Sequence, residues 1–281
     1  MKIDTRFARM VLLVLLLVEG VNGAHAQSGD QILDGIGETG MIARYVFDGN
    51  LKDWSRNNLH AEFKGANANF VQDDKFGKVL SLAGGPDDYV VLPEGTLTNL
   101  ESLSISGWIL LRSAKQGQHF FDFGQNIDQH FFATPVGNAQ QEGFQALVTA
   151  DKQPHAGAIS AAVPQNKWAH VAIVIDVFSK SITSYLDGKL VGEGKDIPKE
   201  LAMVFGSGNS GYTKLYIGKS LEGNNPTLNA LVHDFRIYRV PLTQKQIAGI
   251  YYNAQQGVRE DEQNMGKVED DLPSYELNKA Q

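Results

Sequence analysis

Short apolar runs recur along most of the chain, and each is bounded by Gly, Asn, Asp or Pro. In WAHVAIVID (168–176) the side chains fall into two alternating sets, Ala-Val-Ile-Ile and His-Ala-Val-Asp. This period of two is typical of strands that lay one face on a core. The pattern predicts strands at IARYVFD (42–48), KVLSLA (78–83), DYVVLP (88–93), SLSISGWILL (102–111), HFFDFG (119–124), HFFATPV (130–136), FQALVTA (144–150), WAHVAIVID (168–176), SITSYLD (181–187), LVGEG (190–194), KLYIGK (214–219) and LVHDFRIYR (231–239).

The connections between these runs contain turn residues rather than helical patterns. Asp187-Gly188 stands between two predicted strands, and Asp-Gly is a strong signal for a hairpin because a type I′ turn needs positive φ at both central residues. Many short strands without helical crossovers favour antiparallel pairing. We therefore expect an all-β fold, an antiparallel sandwich of two sheets.

One segment, PLTQKQIAGIYYNAQQ, has a helical period. Thr243 is placed to cap the helix, with Gln246 three residues later, as in a capping box. Ile247, Ile250 and Tyr251 would share one face. The sandwich should therefore end in a short C-terminal helix.

The first 26 residues have the three parts of a secretory signal peptide. MKIDTRFAR is basic, Met10–Val18 is apolar, and Ala24-His25-Ala26 has the small-x-small form of a cleavage site. The apolar run is shorter than the roughly 20 residues that span a bilayer. We expect cleavage before Gln27 and a secreted or periplasmic location, with no transmembrane segment in the rest of the chain.

Composition divides the remaining sequence into three parts. Residues 27–40 are polar and glycine-rich, which is typical of a linker. Residues 256–281 carry many acids and few apolar residues, which indicates a flexible acidic tail. Residues 41–255 are expected to form one domain.

Charge and cysteine content exclude several classes of function. The formal net charge is −7, which argues against nucleic acid as a partner because such binding needs a clustered basic face. The absence of cysteine excludes disulfides, thiol catalysis and thiolate metal sites. Metal ligands would have to be carboxylates, amides or histidines.

Four stretches, in order, resemble the laminin G-like, concanavalin A-like jelly-roll domains of secreted bacterial and extracellular proteins. They are RYVFDGNLKDWSRNNLHAEF, SISGWI, NKWAHVAIVIDVFSKSITSYLDGKLVGEG and VHDFRIYRVPLTQKQIAGIYYNA. The resemblance covers residues 41–254. It implies a jelly-roll sandwich with a carbohydrate-binding or protein-binding role.

The resemblance also implies a structural Ca²⁺ site. Many such domains hold the ion between an aspartate after the first strand and an aspartate on the last strand, which here are Asp48 and Asp234, with Asn50 as a candidate third ligand. The sequence departs from the family at His233, where a second acid is common. The alternative is that Asp48 and Asn50 cap a turn and Asp234 pairs with Arg236.

Other polar and aromatic residues have structural explanations. Asp53 in YVFDGNLKDWSRNN is expected to cap a turn. Trp108 and Trp168 lie on otherwise apolar strands and are expected to be core or edge aromatics. His170 is expected to be a hydrogen-bonded structural histidine.

The sequence contains no catalytic motif on a predicted strand. The Glu-x-Asp-x-x-Glu run of glucanase-like members of this fold does not occur. We therefore expect a non-catalytic recognition module for a glycan, with Trp54, Tyr89, Phe121 and Tyr212 as candidate contacts. The alternatives are a structural domain that binds an extracellular protein and, less favoured, a glycoside hydrolase.

Overall fold

A computed structural model describes residues 40–65, 68–150, 153–197, 200–206 and 213–260. The strands are β1 (Met41–Tyr45), β2 (Glu62–Phe63), β3 (Phe70–Asp73), β4 (Gly77–Ala83), β5 (Val90–Val91), β6 (Ser102–Leu111), β7 (Phe121–Asn126), β8 (Gln129–Thr134), β9 (Phe144–Ala150), β10 (Gln153–Ser160), β11 (Trp168–Asp176), β12 (Ser181–Leu186), β13 (Lys189–Lys195), β14 (Lys214–Ile217) and β15 (Asn229–Tyr238). The helices are α1 (Ala202–Phe205) and α2 (Gln244–Glu260). The predicted signal peptide and nearly all of the predicted linker and tail lie outside the described residues.

The strands form two sheets. Sheet A has eight strands in the order β13-β12-β11-β6-β15-β4-β3, with β1 also paired to β15. Sheet B has seven strands in the order β10-β9-β8-β7-β14-β5-β2. The named strands pair antiparallel. The predicted two-sheet antiparallel sandwich is thus confirmed.

The main core lies between the sheets. In β11 the alternation places Ala169, Val171, Ile173 and Ile175 in this core, as the period of two predicts. Phenylalanine rings from both sheets meet there; Phe121 of β7 and Phe235 of β15 have ring centroids 6.2 Å apart. Burial of this continuous apolar interior is the main stabilising term, at about 25 cal/mol per Å² of apolar surface.

The Asp187-Gly188 turn joins β12 to β13 as predicted. Both residues have positive φ, 49° and 76°. A side chain at Gly188 would also crowd the Ala248 Cα on α2. The glycine therefore allows both the turn and the close approach of the helix.

Helix α2 covers part of the outer face of sheet A, the face directed away from sheet B. Its first turn has the predicted capping box, since the Gln246 amide donates to Thr243 Oγ1 (3.3 Å) and the Thr243 amide donates to Gln246 Oε1 (2.9 Å). Ile247 and Ile250 belong to a second, smaller core with Val174 of β11. The helix continues to Glu260, five residues into the segment expected to be the tail. Neither described helix is long and apolar enough to cross a membrane.

Candidate functional site

The loop after β1 contains two of the three predicted calcium ligands, and Asp53 organises it. Asp53 is buried, and its carboxylate accepts from the amides of Arg44 (2.9 Å), Ser55 (2.8 Å) and Leu59 (2.9 Å). These bonds fix both ends of the loop to one side chain. Asp53 is thus a turn cap, as predicted from its context.

Asp48 and Asn50 lie at the tip of this loop. Asp48 is exposed, and its backbone carbonyl accepts from Asn50 Nδ2 at 3.1 Å. Asn50 Oδ1 accepts from the Lys52 amide at 2.9 Å. The Asn50 side chain is therefore engaged on both its nitrogen and its oxygen in closing the turn.

Asp234 lies in a bulge of β15 and is 4% exposed. Its φ is 48°, and its amide donates to the Val46 carbonyl (3.1 Å). Arg44 Nε lies 2.8 Å from Oδ1, and Arg236 Nη2 lies 2.6 Å from Oδ2. Burial alone would raise the pKa of Asp234, but the two guanidinium groups hold it well below its usual range. The predicted ion pair with Arg236 is confirmed.

The predicted calcium ligands do not fit a calcium ion in this arrangement. Ca²⁺ needs six to eight oxygen ligands, about 2.3–2.6 Å away. Both oxygens of Asp234 accept from guanidinium groups, whose charge would repel a second cation. Across the described ranges, no cluster of three or more His, Asp or Glu could hold a metal ion. The charges at Asp234 therefore argue against the calcium site that the family resemblance implies, which a measurement of calcium binding would test.

The outer face of sheet B, directed away from sheet A, presents a different set of residues. One row crosses five neighbouring strands in direct register, and we call it the sheet B strip: Val91, Tyr216, Asp122, Phe132 and Leu147. The four apolar or aromatic members are half-buried, whereas the aspartate at the centre is fully buried. The strip therefore places two partly exposed aromatic rings two strands apart, about 10 Å.

Asp122 anchors the segment that follows β14. Its Oδ2 accepts from the Leu221 amide (2.8 Å) and from Ser220 Oγ (3.3 Å), and its Oδ1 accepts from His130 Nδ1 (2.8 Å). These bonds satisfy the buried carboxylate. Asp122 therefore supports the strip, and both of its carboxylate oxygens accept hydrogen bonds from within the protein.

Two histidines pack against Phe132 in the strip. The ring centroids of His119 and His130 lie 4.8 and 4.6 Å from that of Phe132. Burial lowers the pKa of His119, despite Asp122 nearby. Both histidines are also hydrogen-bonded within the protein, His119 Nδ1 to the Gly117 carbonyl and His130 Nδ1 to Asp122, so they hold Phe132 in place.

At the other side of the strip, Tyr216 meets Tyr89 edge to face, with centroids 5.1 Å apart. Lys219 Nζ lies 5.0 Å from the Tyr89 ring centroid. Burial raises the pKa of both tyrosines, so their hydroxyls remain neutral hydrogen-bonding groups at neutral pH. Aromatic faces beside hydroxyl and ammonium groups suit a ligand with both apolar and polar surface.

The four aromatic residues expected to contact a glycan have different positions. Trp54 is 58% exposed on the loop after β1, and Tyr89 is next to the strip. Phe121 is fully buried in the main core, so that prediction was wrong: it faces sheet A. Tyr212 lies outside the described residues.

Tyr216 and Phe132 were not predicted. Phe132 could have been found from strand parity, because its neighbour Phe131 points into the core and Phe132 must then point outward. Tyr216 has the same relation to Leu215 and Ile217. No sequence signal indicates that the two rings share one row, since that depends on the order of strands in the sheet.

Solved structures resemble this chain in fold. Domain 4 of AbnA, a GH43 extracellular arabinanase from Geobacillus stearothermophilus, in complex with arabinotriose, has a TM-score of 0.61 at 20% identity, covering 75% of this chain and 98% of that one. The botulinum neurotoxin serotype D ligand binding domain in complex with N-acetylneuraminic acid has a TM-score of 0.58 at 14% identity, covering 79% and 52%. The binding domain of Paraclostridial Mosquitocidal Protein 1 has a TM-score of 0.58 at 16% identity, covering 77% and 52%. This chain therefore spans about half the length of the toxin domains.

Sequence comparison supports the same assignment. A search of curated proteins found no match. The family model described as the concanavalin A-like lectin/glucanases superfamily matches residues 83–248, more than half of the chain. The match extends from β4 into α2 and so includes most strands of both sheets. The chain belongs to the concanavalin A-like lectin/glucanase superfamily.

Proposed function

We propose that this protein is a non-catalytic recognition module that binds a carbohydrate on the outer face of sheet B. The observation that carries the proposal is the sheet B strip, with the half-buried rings of Tyr216 and Phe132 on either side of the anchored Asp122. Sugar rings stack their apolar C–H faces on aromatic side chains, and nearby polar groups bind the hydroxyls.

The two sheets differ in how they suit this role. The outer face of sheet A carries helix α2, whose Ile247 and Ile250 are buried against it. Helix α1 contributes Val204 and Phe205 to the main core. Neither described helix therefore supplies its buried side chains to the outer face of sheet B, which favours that face for an extended ligand.

The comparisons add support at the level of the fold. The arabinanase domain and the neurotoxin ligand binding domain were each solved with a sugar ligand, arabinotriose and N-acetylneuraminic acid. These relatives share at most 20% identity with this chain, so they suggest carbohydrate as a class and leave the sugar open. The arabinanase is described as extracellular, and together with the signal-like N-terminus of this chain this favours secretion, which belongs to this proposal.

The absence of catalysis is part of the proposal and rests on the strip itself. Glycoside hydrolysis needs two carboxylates about 5–9.5 Å apart on the two sides of a scissile bond. The strip contains one carboxylate, Asp122, which accepts three hydrogen bonds and is fully buried. A carboxylate held in this way is poorly placed to attack or protonate a glycan.

Binding of an extracellular protein is the second candidate, favoured by one residue. Phe178 at the tip of the β11–β12 hairpin is 82% exposed, and Asp176 fixes the turn by accepting from the Phe178 amide (3.0 Å). A rigidly presented aromatic side chain is typical of an interface anchor.

A glycan array combined with affinity gels tests the first proposal. We expect retention on at least one class of polysaccharide by the full chain, and unchanged retention in Phe178→Ala. Absence of retention across a broad panel, together with capture of an envelope protein that Phe178→Ala abolishes, would replace the carbohydrate proposal with the protein-binding one.

A further inference from the structure

A second group of residues, on the opposite sheet, has unmet hydrogen-bonding capacity. His170, Trp108 and His233 lie side by side on β11, β6 and β15, in direct register on the outer face of sheet A. We call these three residues the Trp108 row. Ser106, two positions before Trp108 on β6, points to the same face.

Four buried polar atoms of this group have no partner among the described residues. They are His170 Nδ1, Trp108 Nε1, His233 Nδ1 and Ser106 Oγ. Trp108 and His170 are each 1% exposed, and Ser106 is 0% exposed. A buried polar group without a partner is destabilising, and native proteins contain few of them. Four on adjacent positions of one sheet face indicate a missing hydrogen-bonding partner.

Three side chains cover the Trp108 row. Tyr251 of α2 stacks on Trp108 with centroids 5.5 Å apart, Phe76 stacks on His233 at 4.4 Å, and Lys75 Nζ lies 4.0 Å from the Trp108 ring centroid. All three covering side chains are themselves half-buried. They come from two separate segments, α2 and the β3–β4 turn, which meet over Trp108.

Opening this cover does not require the helix to leave the sheet. Helix α2 is anchored by Leu242, Ile247 and Ile250 in the second core. Lys75 and Tyr251 are half-buried and lie outside that second core, so a change in their rotamers would open a path towards the Trp108 ring beside Phe76. Rotamer changes of exposed side chains occur in picoseconds to nanoseconds.

We propose that the Trp108 row is a second ligand site, gated by Lys75 and Tyr251, for an uncharged polyhydroxylated ring. A sugar-like ring would stack on Trp108 in place of Tyr251, and its hydroxyls would bond the four unpartnered atoms. A hydroxyl both donates and accepts, so it suits an indole N–H, a serine hydroxyl and either tautomer of a neutral imidazole. A charged ligand is disfavoured because the free energy needed to bury its charge would exceed the stabilisation from these hydrogen bonds.

The site is distinct from the sheet B strip, since the two lie on opposite outer faces of the sandwich. Its ligand class follows from the unpartnered atoms themselves and stands independently of the proposed function. Failure of one proposal therefore leaves the other in place.

The test follows the indole N–H signals in ¹H–¹⁵N NMR spectra of the full chain. The chain has three tryptophans, and Trp54→Phe and Trp168→Phe variants assign the remaining signal to Trp108. Neutral mono- and trisaccharides, arabinotriose among them, are titrated, with glucuronate as the charged comparison. We expect the Trp108 signal to move downfield with a neutral sugar and to stay unmoved with glucuronate.

Variants identify the gate. Tyr251→Ala should lower the half-saturating sugar concentration about three- to tenfold, the factor for removal of one aromatic contact. Lys75→Ala should lower it about as much, because its cation–π contact with Trp108 is lost. Ser106→Ala should raise the half-saturating sugar concentration for the Trp108 signal. Tyr216→Ala on sheet B should leave that concentration unchanged. A Trp108 signal that stays unmoved in both gate variants would overturn the proposal. So would a high-resolution structure, grown in excess sugar, in which ordered waters bond all four atoms.

Discussion

Arg44 and Asp234 stand 190 positions apart in the chain, yet their side chains form an ion pair of 2.8 Å. Pairing of β1 with β15 brings them together, and Arg236 binds the second oxygen of the same carboxylate. The pair fastens the first described strand to the last. Asp234 was expected to bridge the same two strands through a calcium ion, whereas here two guanidinium groups provide the positive charge.

Replacement of Asp234 should therefore be strongly destabilising. Asp234→Asn removes the carboxylate charge that pairs with the buried Arg236 and the half-buried Arg44, and breaking a buried ion pair costs about 3–5 kcal/mol. The free energy of unfolding in urea measures this loss. Asp48→Asn is the matched control; because Asp48 is exposed, its change should stay within about 0.5 kcal/mol. Equal small losses in both variants would contradict the role assigned to Asp234.

Calcium should not stabilise the protein through Asp48, Asn50 and Asp234. A ligand that binds only the folded state raises the melting midpoint with concentration. We expect calorimetric midpoints in millimolar calcium and in EDTA to coincide. If calcium raises the melting midpoint of the wild type and not that of Asp234→Asn, Asp234 binds calcium. That result would refute the conclusion that Arg44 and Arg236 supply the positive charge at Asp234.

The loop after β1 should depend on Asp53 more than on any residue at its tip. Asp53→Ala removes three backbone hydrogen bonds to a buried carboxylate and should cost about 3 kcal/mol. Asn50→Ala, on the partly exposed turn, should cost less than about 1 kcal/mol. Urea unfolding compares the two, and a smaller loss for Asp53→Ala than for Asn50→Ala would be the contrary result.

Stability should fall as the pH drops below about 6.5. Burial lowers the pKa of His170 to about 3 in the folded state, whereas in the unfolded chain it lies near 6.5. Between these values the unfolded chain binds a proton that the folded chain lacks. His170 therefore contributes a slope of about 1.4 kcal/mol per pH unit.

A His170→Phe variant tests this origin of the slope. Its unfolding free energy should fall less steeply than that of the wild type from pH 6 to pH 4, while the two profiles run parallel between pH 7 and pH 8. Parallel profiles over the whole range would assign the acid sensitivity to other groups.

The strands were largely predictable because their pattern is local. All twelve predicted runs overlap a strand, since each is rich in β-branched, aromatic or other apolar residues and several also alternate with a period of two. The strand β10, QPHAGAIS, was missed because it contains proline and glycine. At Gly157 a Cβ would require the Leu147 side chain on β9 to move. That requirement arises from the neighbouring strand and leaves no local signal.

The candidate sites were less predictable for the same reason. The partners of Asp234, the row that joins Tyr216 to Phe132, and the Trp108 row each depend on which strands are neighbours. His170 was expected to be a hydrogen-bonded histidine, and its Nδ1 instead has no partner among the described residues. A single sequence specifies the face of a side chain better than its cross-strand neighbour.

The central claim is that the sheet B strip binds a glycan, and affinity electrophoresis of aromatic variants tests it most directly. With a polysaccharide that retains the wild type, Tyr216→Ala and Phe132→Ala should each weaken binding about tenfold, because central aromatic contacts typically cost more than 1 kcal/mol when truncated. Trp54→Ala, an exposed aromatic on the loop after β1, should bind like the wild type. If Tyr216→Ala and Phe132→Ala bind the polysaccharide like the wild type and Trp54→Ala does not, the claim that the sheet B strip binds the glycan is contradicted.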